Sequence, residues 1–352
     1  MAETFAKPEH LRQFMLDALA KSGASLQVSQ DVADGLAETS LRGIDSHGVR
    51  LFPVYFHDME LGRTSKNPKF TFSQAAPSTG VLDAGHTFGI AAGKAAMRHA
   101  ISLARATGIG AVAVKNSNHF SAAGIYGLMA ARQNMIGMCF THAESTVLLH
   151  GGKKPFLGTN PLCFCAPMEG EEPFCLDMAT SVVPRNKVLS YKEKGKPLES
   201  GWAADADGNE TLDPSKFSSL FPLGGYKGYG LSLMVEILCS ALTGMEFGPH
   251  ILPFLTESDK RYRNLGHFFL AIDISKFQDI TAFKKRMKQM ADSLRSSPPA
   301  NPTSPVLIAG DPEKQAFALR SKKGIPLTET DVRKFSEIAA KLGMGKSFLE
   351  NK

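Results

Sequence analysis

The sequence predicts a layered α/β protein, and three observations carry that prediction. Helical and strand-like segments alternate from the first residues to Thr141, the order expected when helices cover a sheet. Gly108 to Val114 and Met135 to Thr141 read as buried strands, each next to a helix with a small-residue or apolar face. The chain has 352 residues, 43% hydrophobic and 21% charged, enough to build one large domain or two to three smaller lobes. The same composition excludes collagen-like, disordered and disulfide-scaffold classes.

The elements follow in order. Leu11, Phe14, Met15, Ala18 and Leu19 keep the i, i+3, i+4, i+7 spacing of an amphipathic helix that stops near Gly23. Ser29 is the expected N-cap of a second helix carrying Val32, Leu36 and Leu41. A loop region then leads to a short strand, Val81 to Asp83. Ala92, Ala95, Ala96, His99, Ala100 and Leu103 form a helical face suited to close packing on a sheet. After Gly108–Val114 come a helix around Ala122 to Arg132 and the strand Met135 to Thr141. The hydrophilic stretch Arg185 to Lys216 reads as a loop or excursion. A strong helix (Gly228–Leu242), a strand (His267–Asp273) and a basic helix (Asp279–Leu294) follow. Ser296–Pro305 holds four prolines in ten residues and reads as an extended strap. A strand Val306–Ala309 and a helix Thr328–Leu342 close the chain.

Charge and cysteine usage narrow the setting. The net charge of +6 lies entirely between Asp273 and Lys352, which carry 15 Lys/Arg against 9 Asp/Glu. Acids interrupt those positive charges and aromatics are few, so nucleic acid is not the expected partner. The five cysteines are an odd count, and Cys163-x-Cys165 lacks the spacing of zinc or thioredoxin motifs. The opening MAETFAKPEH has no apolar core of a secretory leader, and Leu231 to Met245 is too short to span a bilayer. A reduced, cytoplasmic protein without a membrane partner is the expectation.

Several motifs fail on context. Gly108-Ile-Gly-Ala-Val-Ala113 matches a variant of the dinucleotide fingerprint but runs from helix into strand, the reverse of what the fingerprint needs. Gly345-Lys-Ser347 resembles the end of a phosphate loop, but Ala340 stands where glycine is required. No metal-ligand spacing and no hydrolase elbow occurs, so no metal is expected.

Four strings survive. Arg42-Gly-Ile-Asp-Ser-His-Gly-Val-Arg50 places His47 between Ser and Gly where a helix pattern stops. Imidazole exchanges a proton near neutral pH, and an Arg fork holds a carboxylate; a helix terminus with a satisfied histidine is the competing account. Asn116-Ser-Asn-His-Phe-Ser-Ala-Ala-Gly124 puts His119 near the C-terminal end of a strand, where open sheets bind ligands; a polar capping loop explains it equally. Pro222-Leu-Gly-Gly-Tyr-Lys-Gly-Tyr-Gly230 opens a helix with Lys227 beside its N-terminus, a combination suited to phosphate or to a plain tight turn. Leu157-Gly-Thr-Asn-Pro161 and Cys175-Leu-Asp-Met-Ala-Thr-Ser181 place Asp177 and Thr180 after a strand, for ligand hydroxyls or for capping.

In this order, RGIDSHG, NSNHF, GTNP, DMATS and PLGGYKGYG resemble the type-2 malate/L-lactate dehydrogenase family. That family also contains sulfolactate, ureidoglycolate and diketogulonate enzymes and cyclic-imine reductases. The resemblance spans nearly the whole chain. It implies a three-layer α/β/α fold on a mixed seven-stranded sheet unrelated to the Rossmann fold, with helical N- and C-terminal segments. It further implies NAD or NADP as cofactor, the reduced form being the hydride donor, a small anionic substrate, and a homodimer. The corresponding division is an N-terminal helical segment (1–75), an α/β core that is not required to be continuous (76–310) and a C-terminal helical segment (311–352).

Carried over by residue, the resemblance makes His47 and His119 active-site groups, His119 favoured as proton donor and His47 as substrate contact or partner acid. Tyr55 would line the substrate pocket and Arg50 hold its carboxylate. Asp177, Met178, Ala179 and Thr180 would contact the nucleotide, with Lys227 and Gly228. Gly310, Asp311 and Pro312 would close over the cofactor from a strand-end loop, and His142 would lie near the nicotinamide.

Three departures matter. The family's usual Arg four residues after the SHG histidine is Leu51 here, Arg50 standing one earlier; Ser121 fills a position often held by Gly; and the common ARGK string reads Pro184-Arg-Asn-Lys187. The implied reaction is hydride delivery to C2 of a 2-oxo acid, with His119 protonating the oxygen. The alternative within the same scaffold is reduction of a cyclic 2-imino acid such as piperideine- or pyrroline-2-carboxylate. An inactive scaffold is disfavoured because both histidines and Lys227 are present.

Overall fold

Proline at the first turn and five inward residues set helix α1 (Pro8–Lys21), packed on α2 (Leu26–Leu41) in a computed structural model that describes residues 4–349. Ser25, not Ser29, precedes α2; Ser29 lies inside it with its hydroxyl donating to the Ser25 carbonyl at 3.0 Å. The expected loop before Val81 contains α3 (Phe52–Glu60), which buries Phe52, Tyr55, Phe56 and Met59 at helical spacing.

The sheet strands are β1 (Thr71–Ala76), β2 (Thr79–Asp83), β3 (Ile109–Ser117), β4 (Met135–Thr141), β5 (Leu162–Ala166), β6 (Phe174–Met178) and β7 (Leu265–Asp273). Their order is β1-β2-β3-β7-β4-β5-β6, with β2–β3 parallel and the other pairs antiparallel. The seven-stranded mixed sheet is therefore as expected. Strand β7 is the last in sequence yet central in space: Phe269 pairs with Val112 on one side and Cys139 on the other. A strand covered on both faces is largely apolar, as Phe268 to Ile272 are, and adjacent residues of β7 feed opposite layers. Phe269 meets Tyr126 at 5.4 Å between centroids, while Phe268 meets Phe140 and packs with Val235 and Cys239.

Helices α4 (Gly89–Thr107) and α5 (Gly124–Ala131) cover the Phe269 face. The rejected fingerprint now has a structural cause. Gly108 caps α4 with φ +92°, and a Cβ on Gly110 would lie 2.0 Å from the Ala100 carbonyl oxygen, so the glycines serve helix–strand contact.

The stretch from Arg185 to Lys216 is an excursion, but an ordered one. It includes α6 (Arg185–Glu193), which follows Pro184, and a strand Ala203–Ala204 of a small second sheet. Val147, Val183, Val188, Leu198, Trp202 and Leu220 give it a core of its own. Helix α7 (Tyr226–Glu236) covers the Phe268 face and continues into a π-helical turn, Ile237–Ala241.

Helix α8 (Ile280–Arg295) starts from the Asp279 side-chain cap. The expected strand Val306–Ala309 is absent: this segment is irregular, and its one backbone link to the sheet is the Cys175 amide donating to Ala309 O at 3.4 Å. Helix α9 (Asp311–Lys323) lies within the expected C-terminal helical segment, though its start at Asp311 takes in residues expected as a strand-end loop, and α10 (Glu329–Lys341) opens with a capping box between Thr328 and Asp331. Strand Ile325–Leu327 pairs with Thr4–Ala6, so the two ends of the chain meet. Among the described residues no helix is long and apolar enough to cross a membrane.

Candidate active site

The polar loop after β3 is held by its own side chains. Asn116, at φ +55°, donates Nδ2 to the Asp83 carboxylate at 3.0 Å. Asn118 donates to Thr64 Oγ1 at 2.8 Å and accepts the His119 amide at 2.7 Å. Ser121 also sits in the left-handed region (φ +68°), which explains why glycine suits that position. Its hydroxyl offsets the strain by donating to the His47 carbonyl at 2.6 Å, tying the two histidine loops together.

The His47 turn is set by α2 and α9. Ser40 Oγ accepts the Val49 amide at 2.9 Å, and a Cβ on Gly48 would fall 2.0 Å from that oxygen, so glycine is needed there. Arg320 of α9 clamps Asp45 through both nitrogens, one at 2.9 Å. His47 itself takes Ser46 Oγ at Nδ1, 2.9 Å away.

These loops bring His47, Tyr55 and His119 together. The imidazoles stack with centroids 5.6 Å apart, and Tyr55 Oη lies 2.7 Å from His119 Nδ1. The Ser121 amide approaches the same nitrogen at 3.4 Å. His119 Nε2 has no hydrogen-bond partner among the described residues. Burial first, then the charges of His47, Arg263 and His267, hold His119 well below the ordinary histidine value; burial alone lowers His47. Burial raises the Tyr55 phenol far above its usual range, so it stays protonated.

Arg50 lies apart from this cluster, its Nε 3.1 Å from Asp331 and its Nη2 4.0 Å from Asp45. Sequence reasoning missed the groups on the other side of His119. Phe254 stacks on its ring at 4.4 Å, and Arg263 lies over the Phe254 ring with its Cζ 5.3 Å from the centroid. Arg263 is 1% exposed; Glu144 takes Nη2 at 2.5 Å, and Nη1 has no partner. Arg63, equally buried, donates to the carbonyls of Pro253, Phe254 and Arg261 and so pins this segment. Also missed was His267, fully buried between Thr141 and Ser117 hydroxyls and pushed down to about 3 by burial. No motif surrounds these residues, which is why sequence did not single them out.

The expected nucleotide residues form a second grouping. Asp177, Gly310 and Pro312 line a cleft of about 230 Å³ together with Thr39, Gly124 and Cys175. Asp177 accepts the Gly124 amide at 2.7 Å, and burial beside Cys175 raises its carboxyl to about 7. Met178 and Ala179 are half-buried, and Thr180, buried, accepts the Leu223 amide at its carbonyl. That bond joins the DMATS loop to the turn that opens α7, whose Lys227 is exposed and whose Gly228 admits no Cβ. Asp311 is held low by Arg295, which binds it at 2.6 and 2.9 Å. His142 is turned inward: Nε2 accepts the Gly266 amide at 2.9 Å, and Nδ1 faces Glu236 at 3.6 Å.

Comparison with known proteins gives the family and the fold. A family model described as malate/L-lactate dehydrogenase matches residues 6–336. A malate dehydrogenase of Pyrococcus abyssi is 38% identical over 346 residues, 96% of this chain and 94% of that protein. The crystal structure of malate dehydrogenase from Entamoeba histolytica superposes with a TM-score of 0.91 at 32% identity, covering 98% of this chain and 99% of that one. A Δ1-piperideine-2-carboxylate reductase from Pseudomonas syringae superposes with a TM-score of 0.85 at 26% identity, covering 95% and 99%. Curated relatives include dehydrogenases named for NAD(+) and for NADP(+).

Proposed function

The chain belongs to the malate/L-lactate dehydrogenase family and is an NAD- or NADP-dependent 2-hydroxy-acid dehydrogenase; from that premise we propose that it interconverts a malate-type 2-hydroxy acid and its 2-oxo acid, with His119 carrying the proton. The observation behind this reading is the asymmetric environment of the His119 ring, Nδ1 bound and Nε2 free of protein partners. The name of the 38%-identical relative supports the malate-type substrate.

The hydrogens follow from the network. The Ser121 amide points its N–H at Nδ1 from 3.4 Å and the Tyr55 hydroxyl faces the same nitrogen at 2.7 Å, so in the resting ring Nδ1 accepts and the hydrogen sits on Nε2. Nε2 is then the atom that exchanges a proton with substrate. In the oxidative direction the ring acts as its Nδ1–H tautomer, that hydrogen accepted by Tyr55 Oη as the Tyr55 hydroxyl turns to the His119 carbonyl at 3.2 Å, and Nε2 removes the substrate hydroxyl proton; in the reductive direction Nε2 returns that proton to the carbonyl oxygen. Burial, with the His47 ring stacked alongside adding to it, keeps the resting His119 neutral. Arg263, buried over the Phe254 ring with Nη1 lacking a hydrogen-bond partner among the described residues, supplies positive potential for an anionic substrate. Arg50 keeps its charge on Asp331 and Asp45 and is the secondary assignment.

The residues fit a dinucleotide. Lys227 lies on the first turn of α7, after Gly224 and Gly225 at φ +60° and +66°, so free helix-start amides and an ammonium are offered to phosphate. Asp177 to Thr180, Gly228 and the Gly310–Pro312 turn would hold the remainder. When bound, the nicotinamide supplies or accepts the hydride. Assembly as a homodimer is part of the reading: Leu231, Leu233, Met234, Ile237 and Leu242 leave an apolar face exposed along α7 and its π-turn.

The test is loss of reduced-nicotinamide absorbance with oxaloacetate, pyruvate, sulfopyruvate and piperideine-2-carboxylate, each with NADH and NADPH. Oxaloacetate is expected to turn over fastest. His119→Ala should lower kcat by about 10² to 10⁴ while leaving nicotinamide binding intact. Unchanged turnover in a folded variant would sink the assignment.

A further inference from the structure

Cys163-x-Cys165 has no motif spacing, but the sheet brings a third thiol to it. Cys165 and Cys175 are direct partners in the β5–β6 register. The Cys175 amide points away from β5, to Ala309, so the pair is of the non-hydrogen-bonded kind. Such pairs hold their Cα atoms roughly 4.5 Å apart, within the range a disulfide needs. The sulfurs of Cys163, Cys165 and Cys175 all lie within 4.8 Å of one another, and Cys163 and Cys165 are 3.6 Å apart.

Burial divides the three. Cys163 and Cys165 are fully enclosed under α5, where a Cβ on Gly127 would fall 2.7 Å from either sulfur. Cys175 is partly open and lines the cleft shared with Asp177 and Gly310. Its thiol is drawn down to about 4, chiefly by hydrogen bonds from the Cys163 and Cys165 thiols, with Arg42 adding to the effect. A reactive, cleft-facing sulfur thus stands beside enclosed thiols, the arrangement in which one attacks an oxidant and another resolves the product.

We propose that Cys175 and Cys165 form a peroxide-oxidisable pair in the wall of the nucleotide cleft, whose oxidation reshapes that wall and weakens nucleotide binding. The Cys175 thiolate attacks the O–O bond of hydrogen peroxide, giving a sulfenic acid and hydroxide, which takes up a proton as water. The Cys165 sulfur then attacks the sulfenic sulfur, its proton leaving with the displaced hydroxyl as a second water. Two thiols are oxidised by two electrons to one disulfide, and one peroxide is reduced to two waters. The bond draws Cys175 Sγ from the cleft wall toward β5 and disturbs Gly310, where a Cβ would already lie 3.1 Å from the Cys175 nitrogen. The effect on nucleotide binding rests on the reading of this cleft as the cofactor site.

The full-length protein is treated with equimolar hydrogen peroxide, alkylated, and mapped by peptide mass. A Cys165–Cys175 disulfide is expected, with two of the five thiols lost and both restored by dithiothreitol. Cys175→Ser should slow thiol loss at least about tenfold, and Cys165→Ser should stop at a dimedone-reactive sulfenic acid. The oxidised enzyme should bind NADH or NADPH at least about tenfold more weakly than the reduced enzyme by nicotinamide fluorescence. A disulfide between other cysteines, none at all, or equal affinity in the two states overturns the proposal. If the reduced enzyme binds neither nucleotide, the cofactor assignment of the cleft is what fails, and with it the effect on binding; the wild-type mapping still decides the thiol chemistry.

Discussion

His119 differs from an ordinary surface histidine because its half-buried ring is packed among other rings and lies near cationic groups. Burial and the neighbouring cations favour the neutral ring, so its base form is present at neutral pH without help. For a base of lowered pKa the sign is fixed: activity requiring the neutral ring persists as pH falls, until the folded-state value below 6.5 is reached. With cofactor saturating, so that Asp177 ionising near 7 does not enter, kcat/KM for the 2-hydroxy acid should stay level from pH 8 down to 6.5. For the 2-oxo acid, which needs the protonated ring, it should rise as pH falls through the same interval. An inflection at or above pH 7 in the oxidative profile would contradict the assignment. Ser121 belongs at this scale too. A side chain accepts a left-handed backbone there because its hydroxyl fastens the His47 carbonyl.

Elements hold the site through close approach more than through long side chains. Strand β3 can lie against α4 only because Gly110 has no side chain where the Ala100 carbonyl passes. Gly110→Ala is therefore expected to destabilise the protein by more than about 3 kcal/mol, read as a fall in the urea midpoint; a midpoint within error of wild type would show that α4 can shift at little cost. Helix α9 shows a different dependence. Its Arg320 reaches back to Asp45 and the Ser40 carbonyl, so a helix near the C-terminus braces the turn that carries His47. Its sequence, DPEKQAFALRSKK, has no apolar stripe to betray it.

At the scale of the whole molecule, an apolar face remains on α7 beside the turn that carries Lys227. Ile237 is 54% exposed and Met234 39%. The proposed dimer predicts sedimentation at twice the mass of the 38.0 kDa chain, and Met234→Glu with Ile237→Glu should yield folded monomers, since burying two unpaired carboxylates is costly. A wild-type monomer would remove the dimer from the reading. The positive charge beyond Asp273 has a local use as well: Arg295 and Lys314 gather Glu171 and Asp311, joining α8 and α9 to the loop before β6.

Local pattern was enough for the alternating elements, the strand Met135–Thr141 to the residue, the loops bearing His47 and His119, and the helix start at Lys227, whereas Asp177, expected after a strand, lies within β6. Each depends on neighbours a few residues away, and periodicity, glycine and capping chemistry record those directly. Strand order, the partners of each histidine and the meeting of Cys165 with Cys175 depend on contacts between residues far apart in the chain. So does the setting of Arg263, which is 119 positions from the Glu144 it binds and carries no spacing that marks it. Only folding a last-made strand into the centre of the sheet brings such groups within hydrogen-bond reach, and only burial there changes their chemistry.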